Sequence, residues 1–145
     1  MIRKIEINEL PRLFELARKF YASAPSLGNF DPDTAVRSWT YFLQNGMGAI
    51  FVIEDDGDIH GMIAALKTPD IHSGEMKAVE MAWFVDEKHR GRGLLLLKEF
   101  EKWAKDNGCK KVCMMYLSDL MPEKLKAVYT RLGYKEVELS YLKEV

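Results

Sequence analysis

The stretch VDEKHRGRGLLLL, residues 85–97, ends an apolar run on a valine, crosses a charged turn with two glycines around Arg92, and continues into four leucines. This pattern is typical of a strand, a turn and the start of a helix. The first N–H groups of a helix lack partners inside it, and that end carries a partial positive charge. Gly91 and Gly93 would let a ligand approach the backbone closely, and Arg90 adds positive charge. The turn therefore fits either a plain chain reversal or a site for a phosphate group.

The turn does not match the common nucleotide-binding motifs. No Gly-Lys-Ser/Thr follows it, as a P-loop requires, and its glycines do not form the GxGxxG pattern of dinucleotide sites. An enzyme that hydrolyses nucleotides is therefore disfavoured.

Composition predicts one domain over residues 1–145. A hydrophobic content of 48% in 145 residues is enough to build a core without disulfide or metal staples. The formal net charge of −1 provides no overall basic field, so a nucleic-acid partner is not expected. No segment approaches the roughly 18 to 20 apolar residues of a membrane span, so no membrane association is expected.

The cysteines and histidines predict no metal site. Cys109 and Cys113 are too few for a disulfide framework or a zinc site, and we interpret them as buried thiols of a cytoplasmic protein. His60, His72 and His89 have no cysteine, serine or acid at triad or metal spacing. Each histidine is therefore expected to be solvated.

Hydrophobic periodicity predicts the order strand, two helices, three strands, helix, strand, helix, strand. Asn8 and Asp31 are the expected caps of the first two helices, and Asp56-Gly57 is the expected hairpin turn. The segments in chain order are residues 2–7, 8–21, 30–46, the hairpin within 48–66, and then 77–85, 93–107, 110–117, 122–133 and 133–145.

The segments at 77–85 and 110–117 are joined by one helix and form a βαβ unit. Strands connected in this way run parallel with a right-handed crossover, whereas the preceding hairpin is antiparallel. The predicted fold class is therefore α/β, with a mixed, mostly antiparallel sheet, one parallel strand pair and helices on both faces.

Two motifs resemble the GNAT superfamily of N-acetyltransferases. The strand AWFV followed by DEKHRGRGLL is similar to that family's cofactor motif, Gln/Arg-x-x-Gly-x-Gly/Ala, with Arg90 first and Gly93 as the central glycine. Leu95 departs from the pattern, because the family has glycine or alanine there. The segment AVYTRLGYKEV, residues 127–137, resembles the family's C-terminal helix and strand, although Pro122 stands where relatives often carry asparagine.

The resemblance implies a cofactor site for acetyl-CoA. In this family the parallel strands splay apart, and the pantetheine arm enters between them and bonds to the backbone like an added strand. The diphosphate then lies on the amides of the glycine-containing turn, where arginines reach its oxygens. The cofactor-binding residues implied here are Trp83, Val85, Arg90, Gly91, Arg92, Gly93, Leu94 and Leu95.

Acetyl transfer to an amine requires a neutral nucleophile, stabilisation of an oxyanion and a proton for the departing thiolate. The resemblance assigns the general acid to Tyr129 and the oxyanion contact to a backbone N–H near Val85. Glu80 is the only carboxylate in its apolar strand, so it is either the general base, with a pKa raised by burial, or a solvent-facing residue. Ser118 and Asp119 are the other candidates, with turn and cap roles as alternatives.

The acceptor and the assembly remain open in the sequence. The family places the acceptor against the first helices, where Tyr21, Phe30 and Asp33 could line it, and both a peptide or protein amine and a small polyamine or drug amine fit. A homodimer is also left open. A second hypothesis is a non-catalytic domain of the same fold that binds CoA weakly or binds only another protein, suggested by Leu95 and Pro122.

Overall fold

A five-stranded mixed sheet forms the centre of the computed structural model, which describes residues 1–145. The strands lie side by side in chain order, and all neighbours are antiparallel except the last pair, which is parallel. The predicted mixed, mostly antiparallel sheet is confirmed. The strands are β1 (Ile2–Lys4), β2 (Gly48–Asp55), β3 (Asp58–Pro69), β4 (Met76–Val85) and β5 (Lys111–Cys113).

Helices cover both faces of the sheet, as predicted. The α-helices are α1 (Phe14–Ser23), α2 (Pro32–Gln44), α3 (Gly93–Asp106) and α4 (Pro122–Arg131). Short 3-10 helices span Ile7–Leu13, Pro25–Leu27 and Glu87–Arg92. No helix combines the length and the apolar character that crossing a bilayer would require.

The alternation of side chains along the strands builds two cores. On β2, Ile50 and Val52 pack with α1, while Phe51 and Ile53 pack with α3 on the opposite face. Successive side chains of a strand point to opposite faces, so a strand covered on both sides is apolar throughout. On α3, Leu96, Phe100 and Ala104 recur at helical spacing and are inaccessible to solvent, so they form its inner side.

Local turn and cap signals produced the predicted structures. Asp56 and Gly57 both have positive φ, as the type I′ turn of a two-residue hairpin requires. The side chain of Asp31 accepts a hydrogen bond from the Asp33 N–H at the start of α2, with Pro32 as the first helical residue.

The start of the first helical segment differs from the prediction. Asn8 is not its cap, because the chain already winds into a 3-10 helix after Glu6, whose N–H donates to the Glu9 carboxylate at 2.9 Å. Pro11 has no N–H to donate within these turns, which disfavours a regular α-helix there. The α-helix therefore begins only at Phe14.

The predictions for the last two strands were wrong. The strand expected over residues 110–117 ends at Cys113, and residues 133–145 form no strand. A strand needs a partner for its backbone, but β5 pairs only with β4 and the final segment has no strand beside it. Leu132, directly after the last helix, is exposed.

Candidate active site

The strands β4 and β5 separate soon after they meet. They pair only at Lys77 with Lys111, Ala78 with Val112, and Val79 with Cys113. Beyond that point β4 continues to Val85, while residues 114–117 leave the sheet. We call the space between residues 80–85 and residues 114–117 the β4–β5 gap.

A β-bulge stands where the gap begins. Ala65 of β3 pairs with Glu80 and Ala64 pairs with Ala82, so Met81 is an extra residue on β4. A bulge bends its strand and increases the local twist. This irregularity accounts for the divergence of β4 from β5 and turns the side chain of Glu80 towards the chain after β5.

Two side chains bind the peptide groups of Met115, which lies just beyond the point where β4 and β5 separate. The Met115 N–H donates to Oε2 of Glu80 at 3.1 Å, and its carbonyl accepts from the hydroxyl of Tyr129 at 2.5 Å. Met115 itself is 48% exposed, and these two bonds take the place of strand pairing at its peptide groups. The side chains of Glu80 and Tyr129 thus supply the hydrogen bonds that a neighbouring strand would otherwise make to Met115.

Glu80 is buried, with 5% of its surface exposed, so the alternative of a solvent-facing residue is wrong. Burial raises the pKa of its carboxyl group to about 7, and the hydrogen bond from the Met115 N–H opposes that rise. A carboxyl group with a pKa near neutrality can both accept and release a proton under physiological conditions.

Tyr129 lies on α4 with 7% of its surface exposed, and its ring is 6.2 Å from that of Trp83. Burial raises the pKa of its hydroxyl well above the usual value, and the negative charge of Glu80 adds to the rise. The hydroxyl therefore keeps its proton at neutral pH. It is suited to donate a proton and unsuited to serve as a base.

The free edge of β4 presents unpaired backbone groups to the gap. The Asp86 N–H donates to the His60 carbonyl of β3 at 2.8 Å, and backbone groups alternate in direction along a strand. Those of Trp83 and Val85 therefore point away from β3, into the gap. The indole Nε1 of Trp83 is also buried without a hydrogen-bond partner. These groups fit an amide-bearing arm such as pantetheine.

The two glycines of the turn differ in the space around them. Neither has the positive φ that would require glycine, so their conformations accept other residues. A Cβ on Gly91 would meet nothing within 4 Å, and one on Gly93 would make ordinary contact with Trp83 at 3.5 Å. The fold itself therefore does not demand glycine here. The Gly93 N–H donates to the Arg90 carbonyl in this conformation.

The remaining turn residues differ in availability. Leu95 is 45% exposed and Leu94 is also exposed, so neither side chain fills the gap. Arg92 forms an ion pair with Asp55 at the end of β2. Arg90 is exposed and forms no ion pair, so its guanidinium is the freer of the two for a phosphate oxygen.

Ser118 and Asp119 lie in a turn after β5. Ser118 is exposed and its hydroxyl makes no hydrogen bond. Asp119 accepts from the N–H and hydroxyl of Ser26 at 3.0 and 3.2 Å, and these bonds lower the pKa of its carboxyl group. Asp119 therefore joins this turn to the connection between α1 and α2 and is a weak candidate for a base.

Two histidines that were expected to be solvated contact each other. The rings of His60 on β3 and His89 in the turn stack with centroids 3.9 Å apart, and Nδ1 of His89 is buried. The prediction failed because 29 positions separate them in sequence and only the fold brings them together.

An apolar cavity of about 390 Å³ lies between the sheet and the helices α1 and α2. Of its 22 lining residues, 18 are hydrophobic, so its walls favour an apolar ligand. Tyr21 and Phe30, two of the candidate acceptor residues, are in its lining, whereas Asp33 is not and Asp31 is. Met81 and Ala82 of β4 form part of its floor, which places the cavity beside the start of the gap.

Comparison with known sequences identifies the family. The model of the Acetyltransferase (GNAT) family matches residues 10–134. The chain belongs to this family. The resemblance in the two sequence motifs and the prediction of an acyltransferase enzyme are thereby confirmed. A comparison of the acetyltransferase with curated proteins finds no match.

Solved structures share the fold of this acetyltransferase over its whole length. AAC(6')-Iy in complex with a CoA bisubstrate analogue is 19% identical, with a TM-score of 0.79 over 100% of this chain and 97% of that one. AAC(6')-IG from Acinetobacter haemolyticus is 18% identical, with a TM-score of 0.74 over 100% and 99%. A ribosomal-protein-alanine N-acetyltransferase from Brucella melitensis biovar Abortus 2308 is 17% identical, with a TM-score of 0.71 over 100% and 99%.

The raised pKa of Glu80 predicts a pH-dependent stability. The folded state favours the protonated carboxyl group, so stability is lost as pH rises from the unfolded pKa, near 4.5, through about 7. Between about pH 5 and pH 8 the parent should lose about 2 kcal/mol more of its free energy of unfolding than Glu80→Gln. Urea denaturation across this range measures the difference, with the exposed Glu99→Gln as control. Parallel curves for parent and Glu80→Gln would contradict the burial of this group.

Proposed function

We propose that this acetyltransferase moves the acetyl group of acetyl-CoA to a primary amine by direct attack of the amine on the thioester. The observation that carries the proposal is the β4–β5 gap, with unpaired backbone groups on one side and both Glu80 and Tyr129 at its narrow end. The gap is a slot between strands, and the two titratable groups stand where its backbone pairing stops. We also place the protein in the cytoplasm, supported by its two free cysteines.

The cofactor site follows from the same geometry. The backbone groups of Trp83 and Val85 would bond the pantetheine arm in the manner of an added strand. The open space at Gly91 would receive the diphosphate, with Arg90 available for its charge. To use the Gly93 amide, the diphosphate would have to displace the Arg90 carbonyl.

The chemistry assigns one proton to each titratable group. An ammonium acceptor passes its proton to the ionised carboxylate of Glu80, and the neutral nitrogen then forms a bond to the carbonyl carbon of the thioester. A backbone N–H near Val85 stabilises the negative oxygen. When the oxyanion collapses and the carbon–sulfur bond breaks, the Tyr129 hydroxyl turns from the Met115 carbonyl and donates its proton to the departing thiolate. The resulting phenolate takes the extra proton from the acylated nitrogen, which leaves a neutral amide and a neutral tyrosine. Ser118 remains an alternative carrier of the acceptor proton through water.

The acceptor proposed here carries an apolar group. The cavity beside the gap has a largely hydrophobic lining, and Asp31 is its one acidic residue. The guanidinium of Arg18 lies 5.9 Å from the ring centres of Phe14 and Phe30, which belong to the lining. A polycationic acceptor would meet one carboxylate and a nearby positive charge. A monoamine with an aryl or alkyl body matches these walls better.

We propose that the enzyme is a homodimer assembled through its C-terminal segment. After Tyr134, whose hydroxyl bonds to Glu101, the chain leaves the surface and residues 137–145 are exposed. Apolar side chains alternate with polar ones over residues 137–141, as in a strand, and Leu139 and Tyr141 are 67% and 95% exposed. The edge of β5 has no partner on its outer side. A second copy supplies both a partner for that edge and cover for the apolar side chains.

Calorimetric titration with acetyl-CoA tests the cofactor site. The parent should bind, and Gly91→Val should lose about tenfold or more in affinity because the new side chain enters the space proposed for the diphosphate. The melting temperature should stay unchanged, since a Cβ at Gly91 meets no protein atom. Absence of binding to the folded parent at millimolar acetyl-CoA would favour the non-catalytic alternative. Equal affinity in the variant would remove this turn from the site.

Substitution of Tyr129 by phenylalanine tests the general acid. Tyr129→Phe should lower kcat by about 10² to 10⁴-fold, far more than it lowers acetyl-CoA affinity, which loses only the bond to the Met115 carbonyl. Tyr134→Phe is the matched control, because its ring lies 5.7 Å from that of Tyr129 and its hydroxyl bonds to Glu101 outside the gap. If kcat falls equally in both variants, the loss reflects altered packing of the aromatic rings, and Tyr129 is not the general acid.

An acceptor series read by released thiol tests the apolar cavity. We expect kcat/KM for 2-phenylethylamine to exceed that for spermidine by about tenfold or more. Ala35→Phe, which places a ring in the cavity, should abolish the preference and leave acetyl-CoA affinity unchanged. A preference for spermidine in the parent would contradict the proposed acceptor class.

Light scattering tests the assembly. The parent should have the mass of a dimer, and deletion of residues 137–145 should give a folded monomer. Ile71→Ser removes an equally exposed apolar side chain elsewhere, 89% accessible, and should leave the dimer intact. A monomeric parent would contradict the proposed interface.

A further inference from the structure

The stacked histidines belong to a cluster that the proposed reaction does not use. His60 on β3, His89 in the 3-10 helix Glu87–Arg92 and Asp55 at the end of β2 meet at the base of the turn. Their ligand-type atoms, one from each residue, all lie within 4.8 Å of one another. The β2–β3 hairpin and the later turn thus bring two imidazoles and a carboxylate to one place.

We propose that Asp55, His60 and His89 bind a divalent transition-metal ion of the zinc class. Two imidazole nitrogens and one carboxylate oxygen form a ligand set that suits such ions, with water completing the coordination. Ligands about 2.0 to 2.1 Å from a tetrahedral ion lie about 3.4 Å apart. The atoms must therefore close by at most about 1.4 Å from the observed separation, which side-chain rotation can supply.

The surroundings of the two imidazoles support a bound ion. Nδ1 of His89 is buried and has no hydrogen-bond partner, which is unfavourable unless a further group binds the ring. Nδ1 of His60 lies 3.9 Å from Oδ2 of Asp86, and Lys19 pairs with that same aspartate through Oδ1 at 3.3 Å. A metal on the other nitrogen of His60 would leave Nδ1 facing a carboxylate, as is common behind zinc-bound histidines.

The carboxylate of Asp55 has two partners that the ion would meet. Oδ1 lies 3.0 Å from the N-terminal ammonium of Met1, and Oδ2 pairs with the guanidinium of Arg92. An ion on either oxygen would weaken one of these contacts. The rings, which stack at an interplanar angle of 12°, must also rotate so that both nitrogens face one point. His89 and Arg92 belong to the same 3-10 helix. An ion bound by His89, Asp55 and His60 would therefore connect this turn to the β2–β3 hairpin.

Titration of the full-length protein with Co²⁺ tests the site directly. Visible absorption should show one ion per chain with tetrahedral character, and Zn²⁺ should displace it. No thiolate-to-cobalt charge transfer should appear, which separates this site from Cys109 and Cys113. His60→Gln and Asp55→Asn should each weaken Co²⁺ binding by about tenfold or more. His72→Gln, in an exposed loop, is the matched control and should bind as the parent does.

A second readout keeps the test independent of the spectrum. Zn²⁺ should raise the melting temperature of the parent and of His72→Gln, and it should have no such effect on His60→Gln or Asp55→Asn. Circular dichroism of each variant establishes that it is folded. The proposal fails if the parent binds no Co²⁺ at millimolar concentration, or if the folded His60 and Asp55 variants bind it as tightly as the parent.

Discussion

The site depends on how the peptide groups of Met115 find their partners. Backbone pairing between β4 and β5 stops at Val79 and Cys113, and peptide groups beyond that point need other partners. The side chains of Glu80 and Tyr129 solve this by binding the N–H and the carbonyl of Met115. The strands can therefore stay apart without leaving those groups unsatisfied, and the gap exists because two side chains replace one stretch of strand.

This arrangement brings the two faces of the sheet into one site. On the α3 face, the gap opens towards Trp83 and the turn that contains Gly91 and Gly93. On the opposite face, the bulged Met81 borders the apolar cavity beneath α1 and α2. A thioester held from the first face and an amine held from the second would meet at the narrow end of the gap. Burial of the same end raises the pKa values of both Glu80 and Tyr129, so geometry and proton affinity have a common cause.

Features fixed by neighbouring residues could be predicted from the sequence, whereas features fixed by pairing across the fold could not. The Asp56-Gly57 turn and the inner side of α3 follow from local conformation and spacing. The short β5 and the buried Glu80 depend on a bulge in β4 that no local pattern reveals. The last segment alternates like a strand but has no partner in the monomer, which is why periodicity alone predicted it wrongly.

The amide resonance of Met115 reports most directly on the interaction that holds the gap open. In ¹H–¹⁵N NMR spectra of the labelled protein, this N–H should move downfield as pH rises through about 7, because an ionised Glu80 accepts a stronger hydrogen bond than a protonated one. The resonance should also be protected from solvent exchange. A Met115 amide that exchanges freely and does not respond to pH in this range would contradict the account.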